Sequence, residues 1–154
     1  MTNRNQKILS VLLLILCLGF IWGNSALPGR ISGNLSNGIL QWINSHAGTH
    51  LTGYAVRKLA HFSEFTLLGL ILAWMGRLYS EKGTERLTLP LLGGVLAALT
   101  DETIQVFVPN RGPSVIDVWI DTSGVILGIG ILVLGHAVVR TRRKHKYILE
   151  EQEL

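Results

Sequence analysis

The sequence predicts an all-α integral membrane bundle of four transmembrane helices, N-in and C-in, and three observations carry that reading. The 154 residues are 48% hydrophobic and only 16% charged, whereas a soluble domain carries about 25% charged residues. The apolar residues gather into four long runs, at about 8–26, 58–75, 87–108 and 116–139. At ~1.5 Å rise per residue, each run comes close to or exceeds the ~30 Å of a bilayer's hydrocarbon core. The basic residues are also unevenly placed. With the N-terminus inside, Arg4, Lys7, Arg77, Lys82, Arg86 and the tail residues Arg140, Arg142, Arg143, Lys144 and Lys146 face the cytoplasm. Only Arg30, Arg57, Lys58 and Arg111 face outward, which is the asymmetry that orients membrane proteins.

The first run carries no charge between Lys7 and Arg30. It reads as a span. The alternative is a cleaved signal peptide, with Arg4 and Lys7 as its basic start and Gly23-Asn24-Ser25 as the cleavage site. Cys17 is the single cysteine, which allows no internal disulfide and no cysteine metal site. Between the first two spans, Leu35, Ile39, Trp42, Ile43 and Ala47 recur at helical spacing opposite Ser36, Asn37, Gln41 and Asn44. This allows a short amphipathic helix on the outer face, with a solvated loop as the alternative. The third run starts at Leu87, which places Pro90 in its first turn, a tolerated position. Pro109-Asn110-Arg111-Gly112-Pro113-Ser114 reads as a tight reversal before the fourth run. The basic segment 140–154 follows that run directly, which favours a cytoplasmic anchor at anionic lipid over nucleic acid. The whole of 1–154 reads as one domain.

Charge inside these runs is the functional signal. An ionisable group within a bilayer costs about 2.5–3.5 kcal/mol on insertion scales and is by default a functional candidate. Glu64, Asp101 and Asp121 each lie seven residues inside the outer end of their run, marked by Arg57, Val108 and Ser114. All three are then roughly 10 Å below that end. His61 and Glu64 are three apart, Asp101 and Gln105 four apart, and Asp117 and Asp121 four apart, so each pair shares a helix face. Gly124 and Gly128 continue the Asp121 face and let another helix approach. The acids Glu64, Asp101, Glu102, Asp117 and Asp121 outnumber the nearby bases Arg57, Lys58 and Arg111. A protonated carboxyl, a bound cation or a basic group on a ligand would relieve the imbalance. His61, Glu64, Asp101 and Asp121 offer mixed N and O donors to a divalent ion, but His-x-x-Glu alone is a weak pattern, so no metal or other cofactor is expected. Ser63 does not face His61 on a helix, which argues against a serine nucleophile. His46, His50 and His145 read as solvated.

Several of these motifs together resemble one family. Arg57-Lys58-Leu59-Ala60-His61-Phe62-Ser63-Glu64-Phe65 is similar to the second-helix motif of VanZ-like membrane proteins. Asp101-Glu102-Thr103-Ile104-Gln105, the 109–114 turn, Asp117-Val118 and Asp121-Thr122-Ser123-Gly124 resemble the rest of that family's signature. The resemblance covers about 57–139. It implies a small multi-pass protein of the bacterial cytoplasmic membrane, in a family named for a member linked to resistance to teicoplanin, a glycopeptide. It supplies no agreed activity and no catalytic residues. Three readings follow. In the first, Arg57, Lys58, His61, Glu64, Asp101, Glu102, Gln105, Arg111, Asp117 and Asp121 bind a polar group at the outer leaflet, from a glycopeptide, a lipid-linked cell-wall precursor or an anionic lipid. In the second, an intramembrane enzyme uses His61 with Glu64 or Asp101 as an acid–base pair on an envelope lipid. In the third, the helices form a salt-bridged bundle or assemble with other copies through Gly124 and Gly128.

The orientation has a direct check. In a Cys17→Ser background, an impermeant maleimide should label Gly112→Cys in intact cells. It should label Gly83→Cys only after permeabilisation, and the opposite pattern would invert the topology.

Overall fold

The computed structural model describes residues 2–47 and 52–152 and is helical throughout its elements. The helices are α1 (Asn3–Ser25), α2 (Gly29–Ala47), α3 (Gly53–Tyr79), α4 (Glu85–Val106) and α5 (Val115–Gln152). Four of them, α1, α3, α4 and the Val115–Arg143 part of α5, are long and apolar enough to cross a membrane. Residues 29–47 form a helix rather than a loop, with Trp42 exposed and stacked on His46 at 4.9 Å. The side chains of Leu35, Ile39, Ile43, Ala47 and His145, and all of His50, lie outside the described residues.

Local chemistry sets the helix starts. The Thr2 and Thr52 hydroxyls accept the Asn5 and Ala55 N–H groups at 3.4 and 3.2 Å, capping α1 and α3. Ser114 does the same for α5 through the Ile116 N–H at 3.2 Å. One helix start differs from the sequence expectation. Helix α4 begins at Glu85, so Pro90 lies inside it rather than in its first turn. There it deprives the Arg86 carbonyl of its helical donor, and Gly76 of α3 packs against that carbonyl and the proline ring. In the 107–114 connection the left-handed residue is Asn110, at φ 60°, and not Gly112. Asparagine tolerates that region because its short polar side chain bonds locally.

Helix α3 is the hub. It packs against α1, α2, α4 and α5, and its contact with α5 is the most extensive. Tyr79 at the end of α3 donates to the Lys7 carbonyl at the start of α1, and the Lys7 ammonium lies 4.9 Å from its ring centre. Helices α1 and α3 are therefore antiparallel. The short 80–84 and 107–114 connections reverse the chain twice more, which leaves α3 and α5 parallel. Their interface is a seam of small residues. A Cβ on Gly124 would lie 2.5 Å from the Phe62 carbonyl oxygen, one on Gly128 would overlap the Thr66 oxygen, and one on Gly69 would overlap the Val125 oxygen. Glycine thus brings the two backbones into direct contact, as expected where lipid tails compete with any apolar side chain for helix surfaces.

The core is small and layered. Ile21 of α1, Phe65 and Leu68 of α3, Ala98 of α4 and Val125 of α5 are fully buried. Trp22 ties α1 to α4 by donating its indole N–H to the Ala97 carbonyl at 3.3 Å. The outward faces carry Leu12, Leu16, Phe20, Leu67, Leu96 and Ile126, all exposed, which suits a lipid surround.

Gly128→Leu should overpack the α3–α5 seam and lower stability in detergent by about 1–3 kcal/mol. Gly130→Leu, with open space at its Cβ position, should leave the unfolding midpoint nearly unchanged.

Candidate functional site

The end of the bundle holding the C-termini of α1 and α4 and the N-termini of α3 and α5 is built around buried polar groups. The parallel register of α3 and α5 places them. Lys58 of α3 forms an ion pair with Asp117 of α5. One turn deeper His61 stands opposite Asp121, and one turn further Phe65 packs on Gly124. Helix α4 supplies Asp101, whose Oδ2 lies 3.8 Å from His61 Nδ1. His61, Asp101 and Asp121 each present a ligand-type atom, and the three atoms lie within 4.8 Å of one another. They are 7%, 0% and 1% exposed, respectively.

A polar collar surrounds this trio. Gln105, one turn beyond Asp101, donates its amide to Asp101 Oδ2 at 2.8 Å and to the Ser25 hydroxyl at 3.3 Å. It also approaches Glu102 Oε1 at 3.4 Å. Glu102 Oε2 accepts the Ser114 backbone N–H at 2.8 Å, placing a carboxylate at the α5 N-terminus, where the helix dipole favours it. Asn24 of α1 donates to Glu64 Oε1 at 3.3 Å. Arg111 complements the other end of the dipole: its Nη2 and Nε donate to the Asn24 and Leu27 carbonyls at the end of α1, at 2.8 and 3.2 Å. Burial, and then the charge of Arg57, pull its pKa below the ordinary arginine value, while Asp101, Glu102 and Glu64 push it back up.

The ten residues expected from the sequence therefore divide. His61, Asp101, Glu102, Gln105 and Asp121 form the buried centre, with Glu64 beside it. Lys58 and Asp117 satisfy each other, and Arg111 is committed to backbone carbonyls. Arg57 makes no ion pair among the described residues. It lines a cavity of about 510 Å³ between α1, α2 and α3, together with Phe20, Leu27, His61 and Glu64. Apart from Asp117 Oδ1, which is paired with Lys58, the buried side-chain oxygens without a hydrogen-bond partner among the described residues are one each on Glu64 and Asp101 and both on Asp121. Ser63 is exposed and donates to the Ala60 carbonyl, away from the site.

Sequence reasoning missed Asn24 and Ser25, the contribution of α1. The signal was available: two polar residues end an uncharged apolar run at the depth of the acids. The reading of the same residues as a cleavage site obscured it. Gly124 and Gly128 also differ from one expectation. They are buried against α3 within the chain, so they offer no seam to a second copy.

A helical bundle with lipid-type residues outside and buried carboxylates near one end defines a multi-pass membrane protein whose polar chemistry lies among its helices. The chain belongs to the VanZ/LLP1 family, whose model matches residues 10–136, as its motifs implied. Comparison with curated proteins and with solved structures gives no match.

Arg111→Ala should free the end of α1 from the 107–114 connection and cost about 2–3 kcal/mol, the scale of lost charge-assisted hydrogen bonds. Arg111→Lys, with a single donor group in place of the fork, should recover only part of it. Unfolding in detergent measures both.

Proposed function

We propose that the protein binds the anionic head of an envelope amphiphile at the outer leaflet of the bacterial cytoplasmic membrane, and that this binding underlies a contribution to glycopeptide resistance of the teicoplanin type. The observation that carries the reading is the α1–α2–α3 cavity. Its wall combines apolar Phe20 and Leu27 with Arg57, His61 and Glu64, a combination suited to a molecule with a tail and a charged head. Arg57, half-buried and without an ion pair among the described residues, offers a guanidinium fork to phosphate or carboxylate. Glu64, on the same face two turns deeper, offers its unpartnered oxygen to an amine or hydroxyl. The N-in orientation puts this end outward. Exposed Trp42, Tyr54 and Trp119 at the same end fit the headgroup level, where aromatic side chains with a polar edge collect. A lipid-linked cell-wall precursor is the head group that links the cavity to glycopeptide action, and anionic lipid is its competitor for the site.

One observation favours the enzymatic reading. His61 both lines the cavity and faces Asp101 at 3.8 Å, so an acid–base pair would reach a bound head group. A purely structural salt-bridged network is disfavoured by the unpartnered oxygens of Asp121 and Glu64.

The test is lipid binding by native mass spectrometry of the purified chain, joined to glycopeptide susceptibility of cells expressing it. Arg57→Gln should weaken retention of anionic lipid or lipid-linked precursor about 10-fold or more, the scale of one lost charged contact. It should lower resistance in parallel at equal membrane levels. Full retention of lipid and full protection by Arg57→Gln would sink the reading. Turnover of a bound lipid by wild type, lost in His61→Ala, would move the protein to the enzymes.

A further inference from the structure

We propose that His61, Asp101 and Asp121 are the ligands of a divalent metal ion of the zinc or manganese type. Three helices deliver one donor each, from α3, α4 and α5, to a single point with all donor atoms within 4.8 Å. A metal–ligand polyhedron with bonds of about 2.0–2.2 Å has donor–donor edges of roughly 3–3.5 Å. The side chains therefore need to close by about 1 Å, a movement within the reach of small χ rotations. One imidazole and two carboxylates form a mixed N and O set, which suits Zn²⁺ and Mn²⁺.

The second observation is independent of this clustering. Asp121 is 1% exposed, and neither of its carboxylate oxygens has a hydrogen-bond partner. Asp101 is fully buried with Oδ1 unpartnered, while Gln105 holds its Oδ2 at 2.8 Å. Such a bond from outside the ligand set is how proteins orient a metal-binding carboxylate. Of the nearby cations, Lys58 is engaged with Asp117 and Arg111 with the α1 carbonyls, while Arg57 lies on the cavity wall. With both carboxyls ionised beside a neutral imidazole the three groups carry a charge of −2, which one divalent ion would cancel. The rival solution is a proton shared between Asp101 and Asp121. The imidazole favours the metal: it adds a third donor that a metal site uses and a proton-sharing pair does not need. Three protein ligands also leave a coordination position open, and His61 is on the cavity wall.

The full chain, purified in detergent and stripped with a chelator, is dialysed against Zn²⁺ or Mn²⁺ and measured by elemental mass spectrometry and calorimetry. One ion per chain is expected. Asp121→Asn and His61→Ala should each lower affinity about 100-fold or more, at or beyond the effect of removing an orienting partner. Glu81→Gln, at an exposed position, should have no effect. Reloading should raise the melting temperature of the wild type and leave that of Asp121→Asn unchanged. Electron spin-echo measurements on the Mn²⁺ form should show coupling to an imidazole nitrogen. Arg57→Gln should load normally, which separates this site from the lipid-binding reading. A stripped wild type that takes up less than about a tenth of an equivalent of either ion, with no thermal shift, overturns the proposal whether or not the variants fold. Uptake that Asp121→Asn and His61→Ala both leave intact overturns it equally.

Discussion

The rest of this bundle depends on the backbone contact between α3 and α5. Apolar side chains gain little by leaving lipid for another helix, so the contact must come from close packing. Gly69, Gly124 and Gly128 provide it by removing the side chains that would hold the two backbones apart. The contact then fixes more than a distance. Because the helices run parallel, it sets a register in which Lys58 meets Asp117, His61 faces Asp121 and Phe65 covers Gly124. Helix α4 completes the arrangement. Gly94 leaves room for Val125, which brings Asp101, two turns further along, to the same level.

The electrostatics follow from that register. Each cation near the cluster except Arg57 has a geometric task. Lys58 neutralises Asp117, and Arg111 satisfies the carbonyls that end α1. Glu102 performs the reciprocal task at the start of α5 through the Ser114 N–H. These contacts join the 107–114 connection to helix ends on both sides, so the site has a closed outer rim. Inside the rim the donors run short: Gln105 reaches Asp101, Glu102 and Ser25, yet no donor among the described residues reaches Asp121. The imbalance that the sequence shows as an excess of acids is greatest at Asp121, where both oxygens lack a hydrogen-bond partner, with one such oxygen each on Glu64 and Asp101.

How much of this was legible in the sequence varies with the physics behind each feature. The four spans were legible because hydropathy over about twenty residues is a local property. The shared depth of Glu64, Asp101 and Asp121 was legible because helical rise converts residue counts to distance. The division of labour among the bases was not. Lys58 and Arg57 are adjacent in sequence, and only the helix rotation fixed by the glycine seam sends one to Asp117 and the other to a cavity wall. The role of Asn24 and Ser25 required knowing that α1 packs beside α3 and α4, a long-range fact. The tight reversal at 109–114 was legible from its prolines and glycine, but that Asn110 takes the left-handed position was not, because the turn's shape is set by the elements it joins.

The two ends of the bundle allow a direct comparison of what charge does in each place. At the 77–86 end, exposed Lys82 and half-buried Glu85 pair at 3.5 Å, and Arg86 donates to the Ser80 carbonyl. Charge there is solvated, and contacts of that kind contribute little to stability. At the other end Asp101 and Asp121 are almost completely excluded from the surface, and leaving such a group unpartnered costs about 1–3 kcal/mol or more. Apolar residues of similar size in place of Asp101 and Asp121 would avoid that cost, and buried ion pairs replaced in this way often yield proteins at least as stable. Stability therefore does not account for the cluster. Helix pairing does not account for it either, since the glycine seam already fixes α3 against α5. What remains is a carboxylate, Asp121, whose oxygens have no hydrogen-bond partner among the described residues and which a proton or a cation would satisfy, beside a cavity that His61 lines.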